Sequence, residues 1–289
     1  MAPQVYAAIQ PPSEEGEKPV TVLVTGFGPF LSKYPQNSSW TIASTLPALL
    51  PATPQNPTPI HIHTHHAPIR VSYNTVLDLI PTLLPPGNPM YPVPDIILHI
   101  GLAAGRSYYA IESTARGRGY GQIADVDGIR FSDEEAEERF PGNMYPRTLE
   151  TGFEMGDVLG RWKGFLGGSK SGGTKDDGNT EKIGAPDVRI SHDAGNFLCG
   201  FIYYNSLAHY FEKGKEGERP VIFLHVPDLS KSEEEMREGW GVTVALIKVL
   251  VESRRVAGGK VGGGQGGVNE NGDGKEGVSA GNETDNNFA

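Results

Sequence analysis

The chain has one cysteine, no long apolar run and no basic leader at its N-terminus. Because Cys199 is the single cysteine among 289 residues, an internal disulfide is excluded. No stretch approaches the roughly 18 consecutive apolar residues of a transmembrane helix, and the first residues do not follow the pattern of a signal peptide. These absences predict a soluble protein of a reducing compartment, the cytosol, with no membrane partner.

Positive charge is also scarce. Lys and Arg together number 25 against 35 Asp and Glu, which gives a formal net charge of −10 at pH 7. Part of the acidic excess lies in the run from Asp133 to Glu138, and no basic stripe is present that could follow a phosphate backbone. Nucleic acid is therefore not an expected partner.

Glycine is abundant, and its distribution indicates the domain organisation. Many of the 38 glycines lie in residues 167–184 and 256–289, among Asn, Asp and Ser. These two segments and residues 1–19 lack apolar periodicity, so we predict a loop insertion, a disordered C-terminal tail and a disordered N-terminal tail. Residues 20–255 are predicted to form a single domain that contains the insertion.

The first apolar run, Lys18 to Thr25, ends in the sequence Gly26-Phe27-Gly28-Pro29-Phe30. A buried strand that enters a Gly/Pro turn is typical of the first strand of an α/β domain. The turn lacks the third glycine of a dinucleotide-binding fingerprint, which argues against nucleotide binding. Phe27 and Phe30 therefore either line an apolar pocket beyond the strand or fill the core.

Further segments alternate or repeat like strands and helices. Histidines 61, 63, 65 and 66 could ligate a metal, but the lack of a nearby Cys or carboxylate cluster favours an exposed strand face. Residues Ala115 to Tyr145 are predicted to form a long surface loop. The predicted strands are Pro59–His65, Asp95–Gly101, Tyr108–Thr114, Pro186–Ser191 and Pro220–Pro227, and the predicted helices are Asn37–Leu50, Val71–Ile80, Phe153–Phe165 and Trp240–Val251.

Glu112 is a candidate functional carboxylate. In the predicted strand it shares a face with Tyr108, Ala110 and Thr114, a partly apolar set. A carboxylate in such surroundings is costly unless a partner satisfies it, which is the situation of many catalytic acids, bases and orienting groups. The alternative is an ordinary glutamate on an edge strand.

Cys199 is placed just inside a predicted helix. Apolar residues recur at helical spacing from Phe197 onward, and either Asp193 or Asn196 can act as the N-cap. A cysteine in the first turn lies at the positive end of the helix dipole, which favours the reactive thiolate. The alternative is an inert, buried cysteine.

His225 lies near the end of the continuous apolar run Pro220 to Pro227, which predicts a central strand. A lone histidine in such a run is either a hydrogen-bonded core residue or a catalytic base. It lies at the edge where the active sites of parallel sheets gather, as do the Phe27 loop and the Asp193 turn.

Four motifs, in this order, resemble the pyroglutamyl-peptidase I (pyrrolidone-carboxylate peptidase) family of cysteine peptidases over roughly residues 20–253. They are Thr25-Gly-Phe-Gly-Pro-Phe30, Gly101-Leu-Ala-Ala-Gly-Arg106 with Glu112, Ser191-His-Asp-Ala-Gly-Asn-Phe-Leu-Cys199, and Leu224-His-Val-Pro227. The resemblance implies a three-layer α/β/α fold with a mostly parallel sheet. It also implies a triad in which Cys199 is the nucleophile, His225 the base and acid, and Glu112 the orienting carboxylate.

The same resemblance implies an apolar pocket for a pyroglutamyl ring, with Phe27, Phe30 and Phe197 as walls and Arg106 near the oxyanion side. The expected activity is removal of N-terminal pyroglutamate from peptides through a thioester, with no metal and no cofactor. Two alternatives stay open: a related cysteine hydrolase of other cyclic or acyl amides, and a degenerate peptide-binding member. The oligomeric state, monomer or homo-oligomer, is open too, and Gly200 and Gly117 depart from the residues common at their positions.

Overall fold

The computed structural model describes residues 18–30, 35–54, 56–87, 91–168, 184–212 and 219–257. The predicted N-terminal tail, the glycine-rich insertion and the C-terminal tail fall almost wholly outside these described residues. The described residues therefore fall almost entirely within residues 20–255, for which we predict a single domain.

Seven strands form the main sheet, and a separate pair forms a small antiparallel sheet. In chain order the strands are β1 (Val20–Gly26), β2 (Leu49–Leu50), β3 (Ile60–Thr64), β4 (Ile96–Leu102), β5 (Tyr109–Glu112), β6 (Thr114–Arg116), β7 (Thr148–Glu150), β8 (Val188–Ser191) and β9 (Val221–Val226). The main sheet has the order β2-β3-β1-β4-β9-β5-β8, and β6 pairs with β7.

The centre of the main sheet is parallel. Strands β3, β1, β4 and β9 are parallel neighbours, and the burial of every residue of β4 and β9 matches the continuous apolar runs that predicted them. Strand β5 runs antiparallel to β9 and parallel to β8, and the short edge strand β2 is antiparallel to β3.

Six α-helices complete the described domain: α1 (Ser38–Thr45), α2 (Tyr73–Leu83), α3 (Asp133–Arg139), α4 (Met155–Gly168), α5 (Leu198–Glu212) and α6 (Glu233–Ala257). One hydrophobic core joins a face of the sheet to α2 and α5, with Phe223 and Tyr203 among its fully buried members. The other core joins the opposite face to α1, α4 and α6, with Ile222 and Trp162 among its members. The three-layer α/β/α sandwich is thus confirmed.

The helix predicted from Asn37 to Leu50 is wrong in its second half. Helix α1 ends at Thr45, and Leu46, with an extended backbone, precedes Pro47. Proline disfavours the helical conformation of the residue before it, so the helix stops there. Leu49 and Leu50 instead form the edge strand β2.

The long surface loop predicted from Ala115 to Tyr145 is also wrong. The segment contains α3, and it buries Tyr120, Phe131 and Phe140 in the core beside α2 and α5. A sequence signal was available, because Ser132 and Glu135 form a capping box at the start of α3. The many Gly, Asp and Glu residues of the segment obscured that signal and the apolar anchors.

Candidate active site

Cys199 is the second residue of α5, in the first turn as predicted. The first backbone bond of the helix runs from Phe201 N–H to the carbonyl of Phe197, so neither of the predicted N-cap residues, Asp193 and Asn196, occupies the capping position. The Asp193 carboxylate instead accepts a bond of 3.1 Å from the N–H of Gly195 and shapes the turn that precedes the helix.

Two glycines let the chain enter the helix sharply. Gly195 has φ +84°, a left-handed conformation that glycine adopts without strain. A Cβ atom on Gly200 would lie 2.0 Å from the carbonyl oxygen of Gly195, so no larger residue fits there without a shift of the backbone. Gly200, noted as a departure in the sequence, is therefore matched to the geometry of this turn.

The sulfur of Cys199 packs against the end of β4. A Cβ atom placed on Gly101 would be 2.8 Å from Cys199 Sγ and 2.6 Å from the ring of Phe223. Cys199 keeps part of its surface exposed. The thiol therefore lies at a surface opening between the start of α5 and the C-terminal end of β4, rather than deep in the core.

His225 and Glu112 lie close together because of the strand register. Glu112 pairs with Phe223 across the antiparallel β5–β9 contact, and His225 lies two residues further along β9 on the same face. The two side chains are therefore diagonal neighbours across β5 and β9, and Nδ1 of His225 lies 2.7 Å from Oε1 of Glu112. Both side chains are almost fully buried, with exposed fractions of 6% for His225 and 0% for Glu112.

The charges around His225 favour its protonated form. Burial alone would lower its pKa, but the neighbouring Cys199 and Glu112 side chains outweigh burial. Together they raise the pKa of His225 from 6.5 to about 9. Because Nδ1 binds Glu112, Nε2 is the ring nitrogen that remains available to Cys199.

Glu112 is held in its charged form. Burial alone would raise its pKa, but the hydrogen bond and charge of His225, the nearby Ser191 hydroxyl and the charge of Arg106 outweigh burial and lower the pKa below its ordinary value. Oε2 of Glu112 has no hydrogen-bond partner among the described residues.

The predicted apolar pocket opens beside Cys199. Phe27, Phe30 and Phe197 all line it, with the rings of Phe30 and Phe197 6.4 Å apart. Its free volume of about 20 Å³ is roughly the room that one water molecule needs. The other lining residues are Asn37, Val71, Leu102, Leu198 and Cys199.

A larger cavity of about 370 Å³ lies elsewhere in the structure. It is lined by Val20, at the start of β1, and by Asp95, which precedes β4, together with residues from the end of α6. Because Cys199 packs against the opposite, C-terminal end of β4, this cavity is remote from the Cys199, His225 and Glu112 cluster.

Arg106 lies at the carboxylate end of the cluster. We expected it near the oxyanion side, among the groups that bind a substrate. Its Nη1 instead donates to Oε1 of Glu112 at 2.8 Å, and Arg106 does not line the aromatic pocket.

Tyr203 makes a contact with Glu112 that sequence reasoning missed. Its hydroxyl donates to the backbone carbonyl of Glu112 at 2.9 Å, and the side chain is fully buried. The spacing offered a signal, because Tyr203 lies four residues after Cys199 and therefore on the same face of α5. It ties the helix that bears the thiol to the strand that bears the carboxylate.

The remaining histidine candidates form no metal site. Within the part of the chain that the structure describes, no group of three or more His, Cys, Asp or Glu side chains could hold a metal ion. His65 and His66 contact each other and lie near Tyr91. Among the described helices, none is long and apolar enough to cross a membrane.

Comparisons with known proteins give a consistent set of matches. The pyroglutamyl peptidase family model matches residues 20–148. Among curated proteins, the chain is similar to pyroglutamyl-peptidase 1 of Rattus norvegicus, with 29% identity over 215 residues that cover 73% of this chain and 80% of the relative. It is also similar to pyroglutamyl-peptidase 1 of Homo sapiens, with 27% identity over 245 residues that cover 83% of this chain and 94% of the relative.

Solved structures show the same fold. Pyrrolidone carboxyl peptidase from Pyrococcus furiosus superposes with a TM-score of 0.57 at 22% identity, over 81% of this chain and 99% of that one. The enzyme of the same name from Thermus thermophilus gives a TM-score of 0.54 at 24% identity, over 80% of this chain and 99% of that one.

Proposed function

Because the chain belongs to the pyroglutamyl peptidase family, we propose that it is a cysteine exopeptidase that hydrolyses the amide bond after an N-terminal pyroglutamyl residue. The observation that carries the proposal is the cluster itself. A partly exposed cysteine at a helix start neighbours a buried histidine, which is hydrogen-bonded in turn to a buried carboxylate. Nucleophile, base and orienting group in this arrangement are the general design of covalent hydrolases.

The first half of the reaction forms a thioester. His225 Nε2 takes the proton of Cys199, and the thiolate sulfur attacks the pyroglutamyl carbonyl carbon. The first N–H groups of a helix have no intrahelical partner, so those of Leu198, Cys199 and Gly200 are positioned to stabilise the oxyanion. As the tetrahedral adduct collapses, His225 gives its proton to the leaving amine and the carbon–nitrogen bond breaks.

The second half releases the acid. Water replaces the departed peptide, His225 takes a proton from it, and the hydroxide oxygen attacks the thioester carbonyl. Collapse of this adduct expels the Cys199 thiolate and frees pyroglutamate. Throughout, Glu112 fixes the orientation of the imidazole through Nδ1 and stabilises its positive charge. No step calls for a metal or an organic cofactor.

The pocket supports a compact, largely apolar acyl group. Phe27, Phe30 and Phe197 offer aromatic faces to a five-membered lactam ring directly beside Cys199. Because the cavity volume is only about 20 Å³, the walls separate to admit the ring, and a long acyl side chain would need a larger opening. Substrates are therefore peptides that begin with pyroglutamate.

Hydrolysis of pyroglutamyl-aminocoumarin amide by the purified chain tests the proposal, with alanyl-aminocoumarin amide as the control substrate. We expect release of coumarin from the pyroglutamyl substrate alone, and its loss in the Cys199→Ala variant. Turnover of other acyl amides in its place would identify a related cysteine hydrolase of different specificity. Binding of a pyroglutamyl peptide without turnover would indicate a peptide-binding protein.

A further inference from the structure

Arg106 makes a buried contact with the carboxylate of Glu112. Its Nη1 lies 2.8 Å from Oε1, the same oxygen that accepts the proton of His225 Nδ1 at 2.7 Å. The side chain of Arg106 is only 14% exposed, and that of Glu112 is fully buried. The two donors therefore converge on one carboxylate oxygen in a site that excludes most water.

The environment of Glu112 explains why a second donor matters. Its other oxygen, Oε2, has no hydrogen-bond partner in the described part of the chain, and burial disfavours its charged form. A buried carboxylate that loses one partner keeps the cost of its desolvation without the compensating attraction. Arg106 supplies positive charge that is present at every working pH, whereas the charge of His225 changes during the proposed reaction.

The backbone holds Arg106 at this position. Its N–H donates to the carbonyl of Ala103 at 2.9 Å, which closes a tight turn directly after β4. That strand carries Gly101, against which Cys199 packs, and Leu102, which lines the aromatic pocket. The guanidinium also lies 5.8 Å from the centre of the Tyr108 ring. A short, fixed segment thus links the pocket wall, the thiol and the carboxylate.

We propose that Arg106 is a positioning residue that holds the Glu112 carboxylate in the orientation that His225 requires, and that it acts without touching the substrate. The expected effect on kcat rests on the proposed function. The contact between Arg106 and Glu112 also affects how readily Cys199 reacts with a simple alkylating agent, and that effect does not rest on it. Without Arg106, the carboxylate gains a proton at higher pH and supports the imidazolium less well.

The variants Arg106→Ala and Arg106→Lys test this role, with Arg189→Ala as the matched control. Arg189 contacts the face of Tyr108 and pairs with Asp187 at the surface, where its side chain is 53% exposed. Two readouts are needed: kcat and KM for pyroglutamyl-aminocoumarin amide, and the pH dependence of alkylation of Cys199 by iodoacetamide. Because the chain has one cysteine, the alkylation signal is unambiguous.

We expect Arg106→Ala to lower kcat about 10- to 100-fold, by analogy with the loss seen when the hydrogen-bond partner of a metal-ligating side chain is removed. KM should stay nearly unchanged, and the pH at which Cys199 becomes reactive should rise. Arg106→Lys should recover part of the rate and most of the pH profile, because lysine restores the positive charge but not the planar guanidinium group with its several N–H donors. Arg189→Ala should match the wild type.

A higher KM at unchanged kcat in Arg106→Ala would overturn the inference and make Arg106 a substrate-binding residue. Wild-type kcat and an unshifted alkylation profile in both Arg106 variants would overturn it as well. If the wild type itself fails to hydrolyse the pyroglutamyl substrate, the proposed function fails. A shifted alkylation profile in folded Arg106→Lys or Arg106→Ala protein would still support the positioning role in that case.

Discussion

Gly101 controls how closely the thiol approaches the sheet. A Cβ atom there would be 2.8 Å from Cys199 Sγ and 2.6 Å from the Phe223 ring, both well inside van der Waals contact. The atom with which it collides is the nucleophile of the proposed reaction. A change of one carbon therefore acts on the reacting group directly.

We predict that Gly101→Ala lowers kcat/KM at least about 100-fold, since displacement of a reacting atom by about 1 Å has that effect. The control is Gly164→Ala in helix α4, where an added Cβ meets no heavy atom within 4 Å. Kinetics and circular dichroism on both variants provide the check. Near-normal activity in folded Gly101→Ala protein would contradict the close packing of Cys199 on β4.

Glu112 and His225 are expected to contribute to kcat by different amounts. Glu112→Gln should lower kcat less than His225→Ala, because the base remains although its orientation is less controlled. The double variant should be scarcely worse than His225→Ala alone, since residues that act as a unit are strongly non-additive. Steady-state kinetics on the three variants would show multiplicative losses if Glu112 acted independently of His225.

The strand and helix patterns predicted the residues of the site better than their arrangement. Cys199 in a helical first turn and His225 near the end of a buried strand followed from local periodicity. The antiparallel direction of β5 did not, because register and direction depend on pairing with β9, which is distant in sequence. The contact of Arg106 with Glu112 spans only six residues, but it depends on the turn after β4 and on the direction of β5, which local periodicity does not give.

At the scale of elements, α5 and β5 are joined by one hydrogen bond from a fully buried side chain. The hydroxyl of Tyr203 donates to the Glu112 carbonyl at 2.9 Å, so the helix with the thiol and the strand with the carboxylate are fixed relative to each other. The same helix carries Tyr210, whose buried hydroxyl has no hydrogen-bond partner among the described residues.

We predict that Tyr203→Phe lowers the free energy of unfolding by about 1–2 kcal/mol, the effect of losing a buried hydrogen bond. It should also lower kcat, because Glu112 loses its link to α5. Tyr210→Phe, which removes a hydroxyl that makes no such bond, should change neither quantity appreciably. Urea unfolding combined with kinetics measures both, and equal behaviour of the two variants would show that the bond from Tyr203 does not fix β5.

Longer elements were predicted reliably where their apolar pattern was continuous, as in β4 and β9. The segment between β6 and β7 was misread, although Tyr120, Phe131 and Phe140 anchor it in the core. Isolated aromatic residues among Gly, Asp and Glu show neither helical nor strand periodicity. Their burial depends on packing against α2 and α5, which local sequence does not show. The end of α1 at Thr45, two residues before Pro47, could by contrast have been predicted from the sequence alone.

For the whole molecule, the buried carboxylate of the site couples stability to acid. Because the folded-state pKa of Glu112 is lowered, its contribution to stability is present above the unfolded-state pKa and is lost as pH falls through the folded-state pKa. The site is thus expected to lose part of its contribution to the unfolding free energy as the pH falls.

We predict that the unfolding free energy of Glu112→Gln falls less steeply with pH below about 4.5 than that of the wild type, whatever its absolute stability. Glu134→Gln, a change at an exposed residue of α3, should follow the wild-type slope. Urea unfolding at a series of acidic pH values gives both slopes. A slope for Glu112→Gln equal to that of the wild type would contradict a charged, buried Glu112.

The most direct test of the account is to trap the acyl group on the chain. The wild-type protein is mixed with a pyroglutamyl ester or amide, quenched with acid during turnover, digested and analysed by mass spectrometry. The account predicts one pyroglutamyl group on the peptide that contains Cys199, an adduct that hydroxylamine removes and that Cys199→Ala lacks. Steady turnover with no acyl group on that peptide, or an acyl group on another residue, would contradict the assignment of Cys199 as the nucleophile.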